Sequence, residues 1–271
     1  MTCFNIFSVI LALMAGVAAG QGIYHPEVYS AVESDYLKLV SNQDFTVLVI
    51  FVPLLLTSTW LAAQRQYRGT LVWLGAVGFL SYVYTGYALA GVSERLFLLH
   101  SAIASLSYFL LLIRLAVIDH EEIRLRFTPV ASYAFTASFL LVAAFLIVAL
   151  WLPKLAPSFS NKTMLEMALL KTKAVFAIRV LDIVFLGPLC CLTGIWLFGR
   201  KAAGYILTTM LLIIAAAKFG TMLNDWHSLH IYPNSLFAGL TLVSLVSTVR
   251  FLKKLREERL TSYHDRISKS C

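Results

Sequence analysis

Apolar runs close to the length of a bilayer crossing recur along this chain and leave little between them. That pattern limits the fold more than any motif does. The runs cover roughly residues 4–19, 45–63, 70–90, 96–117, 131–152, 174–198, 203–221 and 235–252. A membrane helix needs about 20 apolar residues, so eight helices are expected, or seven if the first run is a cleaved signal. Val17-Ala18-Ala19 and Ala18-Ala19-Gly20 would suit a small-residue cleavage rule, but Met1 to Asn5 holds no Lys or Arg for the basic flank of a signal. The first run therefore reads as a retained helix. No ten-residue alternation appears, and an open sheet cannot satisfy its edges in lipid, which leaves an all-α polytopic bundle. With 59% hydrophobic and 13% charged residues, against about 25% charged in soluble domains, the chain 1–271 reads as one transmembrane helical domain with a short charged tail, 253–271. The net charge of +8 then bears on topology, and no nucleic-acid partner is implied.

The connections QRQYRG, GVSER and GRKAAG are short, so successive helices should be antiparallel neighbours. Basic residues concentrate on cytoplasmic loops. With the C-terminus cytoplasmic, the inner side holds Arg65, Arg68, Arg114, Arg124, Arg126, Arg200, Lys201 and the basic residues from Arg250 to Lys269. The link from Pro153 to Lys173 dissents, placing Lys154, Lys162, Lys171 and Lys173 outside together with a glycosylation sequon at Asn161. Glu257, Glu258 and Asp265 dilute the charge of the tail, which reads as a solvated helix end. The expected setting is a cell membrane, with the lipid bilayer as partner. No sequence repeat stands out, and only the helix with Gly187-Pro188 looks interrupted.

That helix, 174–198, also carries Arg179 and Asp182 within its apolar run. Charges at such depth are costly and normally face a protein interior or a water-filled cavity. Three residues apart on one helix face, the two should pair. In this topology the other polar outliers gather on the same, outer half: Asp44, Tyr82, Tyr84, Tyr87, His100 and Lys218. A polar group confined to one half reads as an outward-facing cavity for a small molecule or ion. Each member has a plainer reading as well. Tyrosines favour the membrane interface, His100 could hydrogen-bond Ser101 or Ser105, and Lys218 could snorkel. His227 and His230, three apart, would share one face of a helical turn with Asp225 adjacent, a partial metal set, but H-x-x-H is a weak pattern that fixes no third ligand. Four cysteines, two of them adjacent, offer no disulfide framework and no C-x-x-C spacing. Nucleophile-elbow, zincin, Walker and dinucleotide signatures are absent.

Residues 43–112, from QDFTVLVIFVPLLL to SLSYFLLL, and AIRVLDIVFLGPLCCLTGIWLFGRKAAGYIL resemble a group of uncharacterised prokaryotic multi-pass membrane proteins. Gln43, Asp44, Pro53, Tyr84, Tyr87, Arg179, Asp182, Pro188, Gly204 and Tyr205 fall on the shared pattern. The resemblance implies a seven- or eight-helix bundle and brings no activity or cofactor with it. Three functional classes follow. The first is binding, sensing or transport of a small molecule or ion. The second is a membrane-embedded enzyme using His100, Asp182 and the His227/His230 turn, with or without a metal. The third is a structural subunit of a membrane complex.

Overall fold

The computed structural model describes residues 3–30, 32, 34–128, 133–160, 173–223 and 234–256. Its elements are α1 (Cys3–Tyr24), a 3-10 turn (Pro26–Tyr29), α2 (Ser34–Thr46), α3 (Val52–Ala63), α4 (Tyr67–Ala90), α5 (Phe97–Val117), α6 (His120–Arg126), α7 (Ala134–Ser160), α8 (Lys173–Leu181), α9 (Gly187–Phe198), α10 (Ala202–Met222) and α11 (Asn234–Lys253). A π turn, Val47–Phe51, joins α2 to α3 in one rod, and a second, Asp182–Leu186, joins α8 to α9. Counting each rod once, eight helices among the described residues are long and apolar enough to cross a membrane. Among the described residues there is no strand; one isolated bridge pairs Phe127 with Leu255. The end carrying residues 3 and 256 is called proximal below, and the opposite end distal.

The two π turns have one cause. A proline has no N–H for the carbonyl four residues before it, and its ring crowds that carbonyl. Pro53 withholds a donor from Val49, and Pro188 withholds one from Val184. Each helix widens just upstream: the Val52 N–H bonds the Val47 carbonyl and the Gly187 N–H bonds the Asp182 carbonyl, both across five residues. The expectation of a single interrupted helix is therefore corrected. Pro53 breaks its helix as Pro188 does.

The breaks start 135 residues apart (182 minus 47), and the same offset carries most of the fold onto itself. α3 maps onto α9, α4 and α10 start in register, and α1, α2 and α5 answer to α7, α8 and α11. Arg65 and Arg200 are counterparts, and each has a positive φ, 61° and 52°, uncommon outside glycine. Gly69 lies against Leu61 and Ala62; Gly204 lies against their counterparts Trp196 and Leu197. The chain is thus a tandem pair of four-helix halves running in the same direction, where its sequence shows no clear repeat. Between the break and the hairpin the offset pairs Val49 with Val184, Pro53 with Pro188, Leu54 with Leu189, Arg65 with Arg200 and Gly69 with Gly204; the proline, the arginine and the glycine answer backbone constraints, whereas an apolar wall accepts many side chains of similar volume.

α4 and α10 form the centre. In their apolar windows 78% and 72% of residues are buried, against 22–44% for the other six helices. Small residues admit the close approach. A Cβ on Gly75 would run into Ile213 and one on Gly78 into Met210, and these partners are the counterparts of Gly78 and Gly75 respectively. The reciprocity marks a pseudo-two-fold between the halves at the α4–α10 seam. Outward, Leu13, Val17, Leu112, Phe145 and Leu242 are exposed, so the bundle presents an apolar outer surface.

The proximal end is fastened across the halves. Arg68 donates to the carbonyls of Leu252 and Leu255, at 3.1 and 2.7 Å, capping α11. Glu122 on α6 accepts from the Tyr67 hydroxyl at 2.5 Å and from Arg126 at 2.6 Å. These two donors hold its carboxyl below the ordinary glutamate range, the tyrosine contributing most.

Candidate functional site

Polar side chains collect in the distal half in two packed clusters. The first surrounds Asp182, at the start of the second π turn and fully buried. Lys218, from the central helix α10, reaches both carboxylate oxygens at 2.6 and 2.5 Å. The Tyr82 hydroxyl, from α4, donates to Oδ1 at 2.7 Å, and Trp151 Nε1, from α7, donates to Oδ2 at 2.8 Å. The Lys218 ammonium also donates to the Tyr82 hydroxyl at 2.5 Å. Here the second half contributes the ion pair and the first half a hydroxyl that touches both its members.

This arrangement corrects the expected Arg179–Asp182 pair. The i, i+3 rule considers one helix alone, whereas a buried carboxylate takes the cation its packing partners bring, and α10 brings Lys218. The Arg179 guanidinium lies 5.3 Å from the centroid of the Trp151 ring, within range of a cation–π contact. Nor does Lys218 snorkel; it is turned inward and buried.

The second cluster lies wholly within the first half. Asp44, on α2, is 1% exposed. Its Oδ2 accepts from the Tyr29 hydroxyl at 2.5 Å and its Oδ1 from the Tyr87 hydroxyl at 3.2 Å. Tyr87 also donates to the Val40 carbonyl, and Tyr84 donates to the Ala15 carbonyl, both at 3.1 Å. His100, on α5, packs with ring centroids 5.2 Å from Tyr87 and 5.5 Å from Tyr84. Both of its ring nitrogens are buried without a hydrogen-bond partner, so the expected serine contacts are not made. Gly22 of α1 closes the cluster: a Cβ there would overlap the Asp44 carboxylate and the Tyr29 hydroxyl. Burial and the carboxylate beside it hold the Tyr29 phenol far above its ordinary range.

Of the seven sequence-derived ligand-binding candidates, Asp182, Arg179 and Lys218 meet around one centre, and Asp44, Tyr84, Tyr87 and His100 meet around another. Asp225, His227 and His230 lie outside the described residues. Among the described residues no group of three His, Cys, Asp or Glu stands close enough to hold a metal ion. Cys190 and Cys191 are free thiols. Sequence reasoning missed Tyr29 and Trp151. Trp151 did carry a signal, because an indole N–H inside an apolar run needs an acceptor when buried. Tyr29 carried none, since it reaches Asp44 from the 3-10 turn, whose placement no spacing in the sequence sets. A separate cleft of about 460 Å³, lined by Ile50, Phe51, Leu54, Ile213, Ala217 and Leu245 among others, is apolar and belongs to neither cluster.

The chain matches no family model, no curated protein and no solved structure. The comparisons therefore add nothing to the likeness with prokaryotic multi-pass proteins, whose structural implication, eight apolar helices, is present.

Proposed function

We propose that this chain is a multi-pass cell-membrane protein that binds a small polar solute or ion in its distal half, and senses or transports it. The observation that carries the reading is the matched pair of broken helices. In many transporters two repeats each contribute an interrupted helix, and the site lies at the repeat interface. Here the Asp182 centre is drawn from both halves beside the α4–α10 seam, at the break itself. An ion pair so placed can exchange partners with an arriving solute, as Tyr82 already touches both its members. The proximal end carries Arg65, Arg68, Arg200, Lys201 and Lys253, so the positive-inside rule puts it in the cytoplasm and the two clusters toward the outside.

Thermal unfolding of the purified protein tests this against a panel of inorganic cations and anions, amino acids, sugars and nucleosides. A solute at a hundred times its Kd adds about 2.7 kcal/mol to stability. At least one should raise the midpoint of the wild type and fail to do so for Tyr82→Phe, which keeps the ring and loses the hydroxyl. A panel that shifts the wild type nowhere, or shifts both proteins alike, refutes the assignment.

A further inference from the structure

The two buried carboxylates differ in one respect that decides their chemistry. Among the described residues, Asp182 is bonded to a lysine and Asp44 to no cation. The groups facing Asp44 come from every element packed around it. The 3-10 turn supplies Tyr29, α4 supplies Tyr84 and Tyr87, α5 supplies His100, and α1 supplies the Gly22 backbone and the Ala15 carbonyl. Lys38 and Arg95 are exposed, His25 and Glu27 are exposed and bonded to each other at 3.1 Å, and Lys218 of α10 is held by Asp182.

A carboxylate buried with hydroxyl donors alone keeps an uncompensated charge, which is strongly unfavourable. The charge can be removed by a cation or by a proton. A metal cation needs about six oxygen ligands turned toward it. Around Asp44 the Tyr29 hydroxyl donates to Oδ2, the single Tyr87 hydrogen lies between Oδ1 and the Val40 carbonyl, the Ala15 carbonyl accepts from Tyr84, and the space next to Gly22 is filled. A proton needs no room. The second observation is His100, 1% exposed, with both ring nitrogens lacking partners beside the same tyrosines. A neutral imidazole always carries one N–H and one basic nitrogen, and leaving either buried and unpaired is unfavourable. Neither nitrogen is bonded to Asp44, so His100 supplies no cation to the carboxylate.

We propose that the Asp44 cluster is a proton-binding site: a proton delivered by water forms an O–H bond on one Asp44 oxygen, and the buried carboxylate becomes a neutral carboxyl. The Tyr29 and Tyr87 hydroxyls remain its hydrogen-bond partners. This deepens the function proposed above by naming the proton as an ion the protein handles, and it rests on that reading for its physiological use.

Infrared spectroscopy of the full-length protein in lipid vesicles reads the site directly and needs no solute, so it can fail or succeed independently of the solute screen. The wild type should show the carbonyl stretch of a protonated, buried carboxyl that shifts in deuterium oxide and disappears as the pH rises. Asp44→Asn should lack this band, and Asp182→Asn should keep it. Tyr29→Phe removes a donor that favours the ionised form, so the titration should move up by about one pH unit, a tenfold gain in proton affinity. The proposal is overturned by a wild type without such a band at any pH, by a band that survives Asp44→Asn, by a Tyr29→Phe titration that moves down, or by loss of the band on adding sodium at constant pH. Tyr29→Phe serves alone if Asp44→Asn does not fold.

Discussion

Removing Lys218 should be among the most damaging single changes the bundle can suffer. Lys218→Met keeps the length and apolar stem of the side chain and deletes the ammonium that contacts both Asp182 oxygens. Asp182 is fully buried and would retain only the Tyr82 hydroxyl and the Trp151 indole. Breaking a buried pair from one side costs about 3–5 kcal/mol. At about 2–4 °C per kcal/mol for a chain of similar size, the midpoint of thermal unfolding should fall by roughly 6–20 °C. Asp182→Asn should also destabilise, since it leaves the ammonium with an amide and a hydroxyl. The double substitution has no buried charge and forfeits chiefly hydrogen bonds, each worth about 1 kcal/mol net. It should therefore be more stable than either loss alone implies, with a coupling of about 2 kcal/mol or more. The assay is a double-mutant cycle on purified protein in one detergent. A second cycle with Arg179→Gln serves as control, because Arg179 stacks on Trp151. Losses that add to within about 0.5 kcal/mol for Asp182 and Lys218 refute the reasoning. So does a larger coupling for Arg179 than for Lys218.

Other expectations bear on the repeat, the proximal fastening and the topology. Gly69→Ala and Gly204→Ala put a Cβ into the backbone of the partner helix at equivalent points, so each should cost about 1–3 kcal/mol in thermal unfolding; a neutral result at one of them breaks the equivalence. Glu122 has a folded pKa below its ordinary value of 4.5, owing first to Tyr67 and then to Arg126. Its contribution to stability should be full above that ordinary value and lost as the pH falls through the depressed one, so Glu122→Gln should differ from the wild type at neutral pH and converge with it in acid. A difference that grows on acidification reverses the sign of the argument. In a protein without native thiols, Glu94→Cys should react with an impermeant reagent in intact cells and Lys201→Cys should not; the opposite pattern inverts the orientation.

Much of the architecture is legible from residues 1–271 read in order, because the driving force acts on each segment separately. An apolar run of about 20 residues must close its backbone hydrogen bonds within itself in lipid, whatever its neighbours are. The eight helices, their short basic hairpins and the distal placement of Asp44, His100, Asp182 and Lys218 follow from that local rule. Pro53 was equally legible and was passed over, although the geometry at Pro188 applies to it unchanged. Partner choice is different in kind. Lys218 rather than Arg179 neutralises Asp182 because α10 lies against the break, and Asp44 is left without a cation because α1, α4 and α5 bring it only phenols, an imidazole and a glycine. No spacing within one helix encodes these contacts. They depend on which faces the packing of Gly75 and Gly78 against Ile213 and Met210 turns together. The sequence alone determined how many helices form and where polar groups sit along them; the tertiary structure decided which charges meet, since electrostatic pairing falls off over a few ångströms and only packing sets such distances.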